Sequence, residues 1–184
     1  MTDDPAPPGR PRGIQLNNTI IIGGLLAIAA AIAASELFGA PGLSEGTKAP
    51  PLTLTRLDGT QFSLEALEGQ VVLLNFWATW CPPCNEEMPE LVGIARDFEG
   101  KGVVFVAASQ DDPPEAKAAV MAWVSHHEDA RPYVALAASA SSFGVVALPT
   151  TFVLDRKGRV VKGKRGRVEG FQVKAWLEAA MDRR

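Results

Sequence analysis

The longest apolar stretch of the chain runs uncharged from Ile20 to Ala34, and Leu37-Phe38 extends it past Ser35 and Glu36. Thr19 to Phe38 therefore supplies about the 20 residues that a helix needs to cross a bilayer. Short Ala-rich pieces such as Ala31-Ile32-Ala33 also resemble a signal-peptidase site, but the length of the run favours an uncleaved signal anchor. Beyond Pro51 the pattern breaks into short elements. Leu52-Thr53-Leu54 and Phe62-Ser63-Leu64 alternate around Asp58-Gly59, which predicts a hairpin. Val71 to Trp77 is almost continuously apolar, as in a strand buried on both faces. Met88, Leu91, Val92, Ala95 and Phe98 then recur at helical spacing, and Val103 to Ala107 reads as the next strand. A second helix carries Val120, Trp123 and Val124, opened by Asp111-Asp112-Pro113-Pro114 with Asp as cap and Pro in the first turn. Tyr133 to Leu136 is expected as a short edge strand. Thr151–Leu154 and Arg159–Lys162 form a second hairpin around Asp155 to Gly158, and Val173, Trp176, Leu177 and Ala180 mark a last amphipathic helix. This order predicts an α/β layer fold with a mixed central sheet. Trp77, Trp123 and Trp176 are expected in its core.

Composition and charge add the frame. Residues 1–18 are expected as a disordered cytoplasmic tail, rich in Pro, Asp and Arg at its start; 39–50 as a linker; and 51–184 as the folded domain. Arg10 and Arg12 precede the apolar run, whereas the first basic residue after it is Lys48. The positive-inside bias then leaves the tail in the cytoplasm and exports the domain. A net charge of −3 with scattered basic residues carries no nucleic-acid signature. The basic group Lys162, Lys164, Arg165 and Arg167 is expected as a solvated face.

The chain has only two cysteines, Cys81 and Cys84, so no framework of structural disulfides is available. They sit where the buried strand gives way to a helix. Two thiols three positions apart at a helix start can close a small disulfide ring without unfolding anything. Cys81 falls at the N-cap, where the dipole and free N–H groups stabilise a thiolate. Cys84, one turn further in, is expected to resolve the mixed disulfide that Cys81 forms. Half of a zinc site is the competing reading, but zinc needs four ligands and the other candidates, His126 and His127, close a distant helix. Pro82 and Pro83 lack N–H groups, which leaves the Cys84 amide among the nearest donors to a Cys81 thiolate. A modest stabilisation of the thiolate, and hence a reducing enzyme, is expected. Glu87 shares the buried helix face with Met88, whereas Glu86 and Glu90 point away. A carboxylate there can relay a proton to or from Cys84; the plainer reading is an acid favoured by the helix dipole. Pro89 is expected to bend the helix. Trp80 is expected to form an apolar rim beside the thiols.

Asn75-Phe76-Trp77-Ala78-Thr79-Trp80-Cys81-Pro82-Pro83-Cys84, Glu87-Met88-Pro89 and Leu148-Pro149-Thr150-Thr151-Phe152, together with Ala49-Pro50, Leu57-Asp58-Gly59, Leu67-Glu68-Gly69 and Asp155 to Gly158, resemble the TlpA-like/ResA-like membrane-anchored thioredoxins over roughly residues 48–182. The resemblance implies a thioredoxin fold with an N-terminal β-hairpin extension, redox-active Cys81 and Cys84, an active-site acid at Glu87 and a cis peptide bond before Pro149. It places substrate against Trp80, Leu148, Pro149 and Thr150. It also implies disulfide-containing extracytoplasmic partners, such as apocytochrome c or copper-site assembly proteins, and a membrane thiol reductase of the DsbD or CcdA type as electron donor. No cofactor and no metal are expected. Where many relatives carry a Gly shortly before the cis-Pro, this chain reads Val145-Val146-Ala147-Leu148.

Three rivals are weaker. A peroxiredoxin needs a Thr three residues before its reactive Cys, where this chain has Ala78. A copper chaperone of the Sco type needs a wider Cys spacing and a His near the thiols. A non-catalytic adaptor would not need both cysteines.

Overall fold

The computed structural model describes Gly24 and residues 42–183, and all of these but Gly24 belong to one unit, Phe38–Arg184. The expected tail, and the expected anchor apart from Gly24, lie outside the described residues. Among the described residues no helix is long and apolar enough to cross a membrane.

Seven strands form one mixed sheet in the order β2-β1-β5-β4-β3-β6-β7. They are β1 (Thr53–Arg56), β2 (Gln61–Ser63), β3 (Val71–Trp77), β4 (Val103–Ser109), β5 (Val134–Ala137), β6 (Thr150–Leu154) and β7 (Val160–Arg165). Three described α-helices accompany them: α1 (Pro82–Asp97), α2 (Ala116–Val124) and α3 (Gly170–Asp182). β3 is the axis of the sheet. It pairs in parallel with β4, from Val71 opposite Val103 to Trp77 opposite Ser109, and antiparallel with β6, from Val72 opposite Leu154 to Phe76 opposite Thr150. All seven of its residues are buried, as its continuous apolar pattern requires.

The period-2 alternation of β3 divides its side chains between two cores. Val71, Leu73 and Trp77 join Met88, Leu91 and Val92 of α1, Val120 and Val124 of α2, and Val173 and Leu177 of α3. Val72, Leu74 and Phe76 join Leu54, Phe143, Phe152, Leu154 and Val160. The hairpin turn at Asp58-Gly59 forms as expected: Gly59 takes φ +93°, and Asp58 Oδ1 accepts from the Thr60 N–H at 2.8 Å.

β5 is an interior strand, antiparallel to β1 and parallel to β4, and not an edge. The 111–114 segment does not open α2: the helix starts at Ala116, its N-cap is Glu115, and the Pro113–Pro114 bond is cis. Trp77 is fully buried, but Trp123 and Trp176 are half-buried at the border of the core. His127 closes α2 through its Nδ1, 2.9 Å from the Trp123 carbonyl, with its ring stacked on the Trp123 indole. Within the stretch read as linker, the Gly46 and Ala49 N–H groups donate to the Val160 and Gly158 carbonyls.

Candidate active site

β3 ends at Trp77, and the chain turns through Ala78 to Trp80 into α1. Cys81 is the N-cap with an extended backbone (φ −97°, ψ 103°), and Pro82 and Pro83 occupy the first helical positions, where a missing N–H costs no helical bond. Cys81 and Cys84 are joined by a disulfide, with their Cα atoms 5.3 Å apart. Cys81 retains 4% exposure and Cys84 none. The Cys84 N–H, expected beside the Cys81 sulfur, donates to the Cys81 carbonyl at 3.1 Å; the Asn85 N–H bonds the same oxygen at 3.2 Å. Amide donors at this helix start are therefore scarcer than the sequence suggests.

Cys81 opens onto a groove of about 590 Å³. Trp80, Pro82, Gln110, Val146 and Leu148 are among the other lining residues, none of which is charged. Trp80 and Val146, 65% and 76% exposed, put apolar surface on its rim. The Leu148–Pro149 bond is cis. Leu148 lines the groove, whereas Pro149 and Thr150 are buried. The Pro149 carbonyl accepts from the Gly166 N–H at 2.8 Å, and the Thr150 hydroxyl donates to the Ala147 carbonyl at 2.7 Å.

Glu87 lies one turn beyond Cys84 on the same face of α1 and is 1% exposed. Its Oε1 accepts from Asn75 Nδ2 at 2.8 Å, and its Oε2 accepts from the Val168 N–H at 3.0 Å. Burial pushes its pKa up from 4.5 to about 7, against the pull of the Val168 and Asn75 hydrogen bonds and of the Arg167 and Lys164 charges. The acid thus titrates near neutrality, where a proton relay works best. Glu86 and Glu90 are exposed, as expected. Glu86 pairs with Arg167 at 3.3 Å, and Lys162 and Lys164 bond Glu45 and Gln172. Such surface pairs contribute little to stability.

Two groups of residues escaped the sequence reading. Asn75 is the one strongly polar side chain in β3; it also donates to the Thr151 hydroxyl at 2.9 Å, while its own Oδ1 is buried without a hydrogen-bond partner. A lone amide in an otherwise apolar strand was the available signal. Asp111, read as a cap, instead binds Thr79 and Ser109 beneath the loop that leads into Cys81. His126 and His127 lie at the end of α2, and among the described residues no group of three or more His, Cys, Asp or Glu side chains is placed to hold a metal ion.

A family model described as Redoxin matches residues 44–177. The thiol-disulfide oxidoreductase ResA of Bacillus thuringiensis subsp. konkukian is 35% identical over 136 residues, covering 72% of this chain and 74% of that protein. ResA of Bacillus subtilis is 35% identical over 126 residues, 67% of this chain and 69% of its own. The crystal structure of a thiol:disulfide interchange protein of the thioredoxin family from Chlorobium tepidum superposes with a TM-score of 0.62 at 26% identity, covering 75% of this chain and 98% of that one. With a helix-capping disulfide beside an open groove and a thioredoxin-type sheet behind it, the chain belongs to the Redoxin family as a ResA-like thiol–disulfide oxidoreductase.

Proposed function

We propose that this oxidoreductase is a membrane-tethered reductant of disulfides in extracytoplasmic proteins. The observation that carries the reading is the asymmetry of the pair: Cys81 opens onto the groove, while Cys84 is sealed beneath it on the side of a buried acid. The Cys81 thiolate attacks a partner disulfide, forms a mixed disulfide and expels one partner thiol. Cys84 then attacks Cys81 Sγ, closes the ring and releases the second thiol, so that two electrons pass to the partner. Glu87 takes the Cys84 proton and returns it to the leaving thiolate. Trp80 and Leu148 hold the substrate chain in the groove. Pro149 and Thr150 fix the backbone behind Leu148, whose main-chain groups are the ones left to pair with substrate, because the Pro149 carbonyl is already engaged.

The reducing direction rests on the donors at the helix start. Pro82 and Pro83 offer no N–H and the Cys84 N–H is committed, so a free Cys81 thiolate is weakly stabilised and the disulfide is favoured. Thr19–Phe38 serves as the anchor on the strength of its apolar length and the Arg10/Arg12 bias. Apocytochrome c or a copper-site assembly protein is the proposed class of partner, and a membrane thiol reductase of the DsbD or CcdA type the electron donor.

Because the chain holds no other cysteine, thiol labelling in intact cells reports on this pair alone. A maleimide that cannot cross the inner membrane is expected to label the protein without added reductant. Labelling only after the membrane is permeabilised would contradict the exported topology. Labelling only after addition of dithiothreitol would contradict the reducing role.

A further inference from the structure

The dithiol ring is bracketed by a set of hydrogen bonds that the redox chemistry described above does not use. Asp111 lies two residues past the end of β4. Its Oδ2 accepts from the Thr79 N–H at 3.1 Å, its Oδ1 accepts from the Thr79 hydroxyl at 2.5 Å, and its Oδ2 also accepts from the Ser109 hydroxyl at 2.7 Å. Ser109 Oγ in turn accepts from the Asp111 N–H at 3.1 Å, which fixes the carboxylate against the end of β4. On its other side Thr79 offers its carbonyl to Asn85 Nδ2 at 3.0 Å. Thr79 precedes Cys81 by two residues and Asn85 follows Cys84 by one, so the continuous bridge Ser109–Asp111–Thr79–Asn85 runs from the central sheet across both ends of the ring.

We propose that this bridge is a clamp on the dithiol, with Asp111 a positioning residue that acts through Thr79 to hold the two sulfurs at bonding separation. The inference deepens the reading of Cys81 and Cys84 as a reversible couple and rests on it. Ring closure is intramolecular, so its equilibrium depends on how few conformations the 79–85 segment samples when the bond is open. Pro82 and Pro83 restrict the segment from inside by fixing two φ angles. The clamp restricts it from outside, because the buried side chain of Asp111 accepts from both the N–H and the hydroxyl of Thr79 while Ser109 ties it to the end of β4. In the step concerned, the Cys84 thiolate attacks Cys81 Sγ, the Cys81–Cys84 bond forms, and the bond to the partner sulfur breaks. The partner leaves as a thiolate and takes up a proton. Releasing the clamp lowers the effective concentration of Cys84 at that sulfur and favours the open form.

The test is the equilibrium of the full-length protein with glutathione, in which one protein dithiol and one oxidised glutathione give the protein disulfide and two reduced glutathiones. Asp111→Ala is expected to lower that constant about tenfold, equivalent to a potential about 30 mV less reducing. Asp111→Asn keeps an acceptor oxygen for the Thr79 N–H and is expected to lose less than about threefold. Asn85→Ala removes the other half of the bridge and is expected to shift the constant in the same direction by about threefold or more, with the double variant falling no further than Asp111→Ala alone. Asp155→Ala supplies the comparison. That carboxylate is equally buried but serves the β6–β7 turn, accepting from the Lys157 and Arg159 N–H groups roughly 15 Å along β6 from the strand end beside the site. It is expected to lower unfolding stability while leaving the glutathione constant within about twofold of the parent. Constants unchanged in both Asp111→Ala and Asn85→Ala would overturn the clamp. So would an equal loss in Asp111→Asn and Asp111→Ala, which would assign the effect to charge. If Asp111→Ala does not fold, an unchanged constant in Asn85→Ala alone overturns the clamp. A parent protein that does not exchange with glutathione would overturn the reading of the couple itself, and the clamp with it.

Discussion

Cys84→Ala is expected to convert the full-length protein from a catalyst into a trap that stays covalently attached to its partners. Cys81 lines the groove, whereas Cys84 does not and has no exposed surface. The first attack on a partner disulfide therefore belongs to Cys81 and survives the substitution. The second attack is lost, and the mixed disulfide persists until an external thiol reaches it. Turnover in a disulfide-reduction assay is expected to fall by more than about 1000-fold, the scale of loss that follows removal of a member of a catalytic unit. Adducts are expected as higher bands on non-reducing gels that vanish with dithiothreitol. Cys81→Ala is expected to lose the same turnover without forming adducts. Adducts with Cys81→Ala and none with Cys84→Ala would reverse the roles.

The second large effect is a pH dependence of stability set by Glu87. Burial raises its pKa from 4.5 to about 7. Below about pH 4.5 the group is protonated in both the folded and the unfolded chain, and its contribution to stability is fully present. Between there and about pH 7 the unfolded chain releases a proton that the folded chain keeps, so stability falls by roughly 1.4 kcal/mol per pH unit. Above pH 7 the loss is complete, at about 3 kcal/mol on this scale. Glu87→Gln is expected to abolish the slope. Its amide NH₂ must face either the Asn75 or the Val168 donor, a cost of about 1–3 kcal/mol at every pH, so the diagnostic is the slope and not the absolute stability. Urea unfolding of the oxidised protein across pH 4 to 8 reads both. The same variant is expected to slow release of the mixed disulfide about 100-fold, as for loss of a general acid–base, while leaving the first attack by Cys81 nearly unchanged. A slope that persists in Glu87→Gln would assign the titration to another group.

What the sequence revealed and what it hid have a common physical origin. β3 was legible because a strand buried on both faces must be apolar at every position but a purposeful one, and Val71 to Trp77 has only Asn75 as exception. The buried face of α1 was legible because Glu87, Met88, Leu91 and Ala95 repeat at helical spacing. Long-range pairing was not legible. Nothing local in Val134–Ala137 announces that β1 will cover its outer edge, so an interior strand read as an exposed one. Asp111 was misread for a related reason: Asp-Asp-Pro-Pro is a strong local cap signal, and hydrogen bonds to Thr79 and Ser109, distant or off the helix, outweighed it. At the site, the cysteines and the acid were visible as residue types at fixed offsets, while their supports were not. Asn75 reaches Glu87 from another element and Asn85 reaches Thr79 across the ring, contacts that exist only once the sheet and helix have packed.

The most direct test of the reducing role is the reduction potential of the Cys81–Cys84 couple in the full-length protein, titrated against glutathione and dithiothreitol buffers. A value near or below that of thioredoxin, about −270 mV, is expected where Pro82, Pro83 and a committed Cys84 amide leave the thiolate weakly stabilised. A value above about −180 mV, in the range of protein disulfide isomerase and the strong oxidant DsbA, would contradict the reducing role and turn the flow of electrons around.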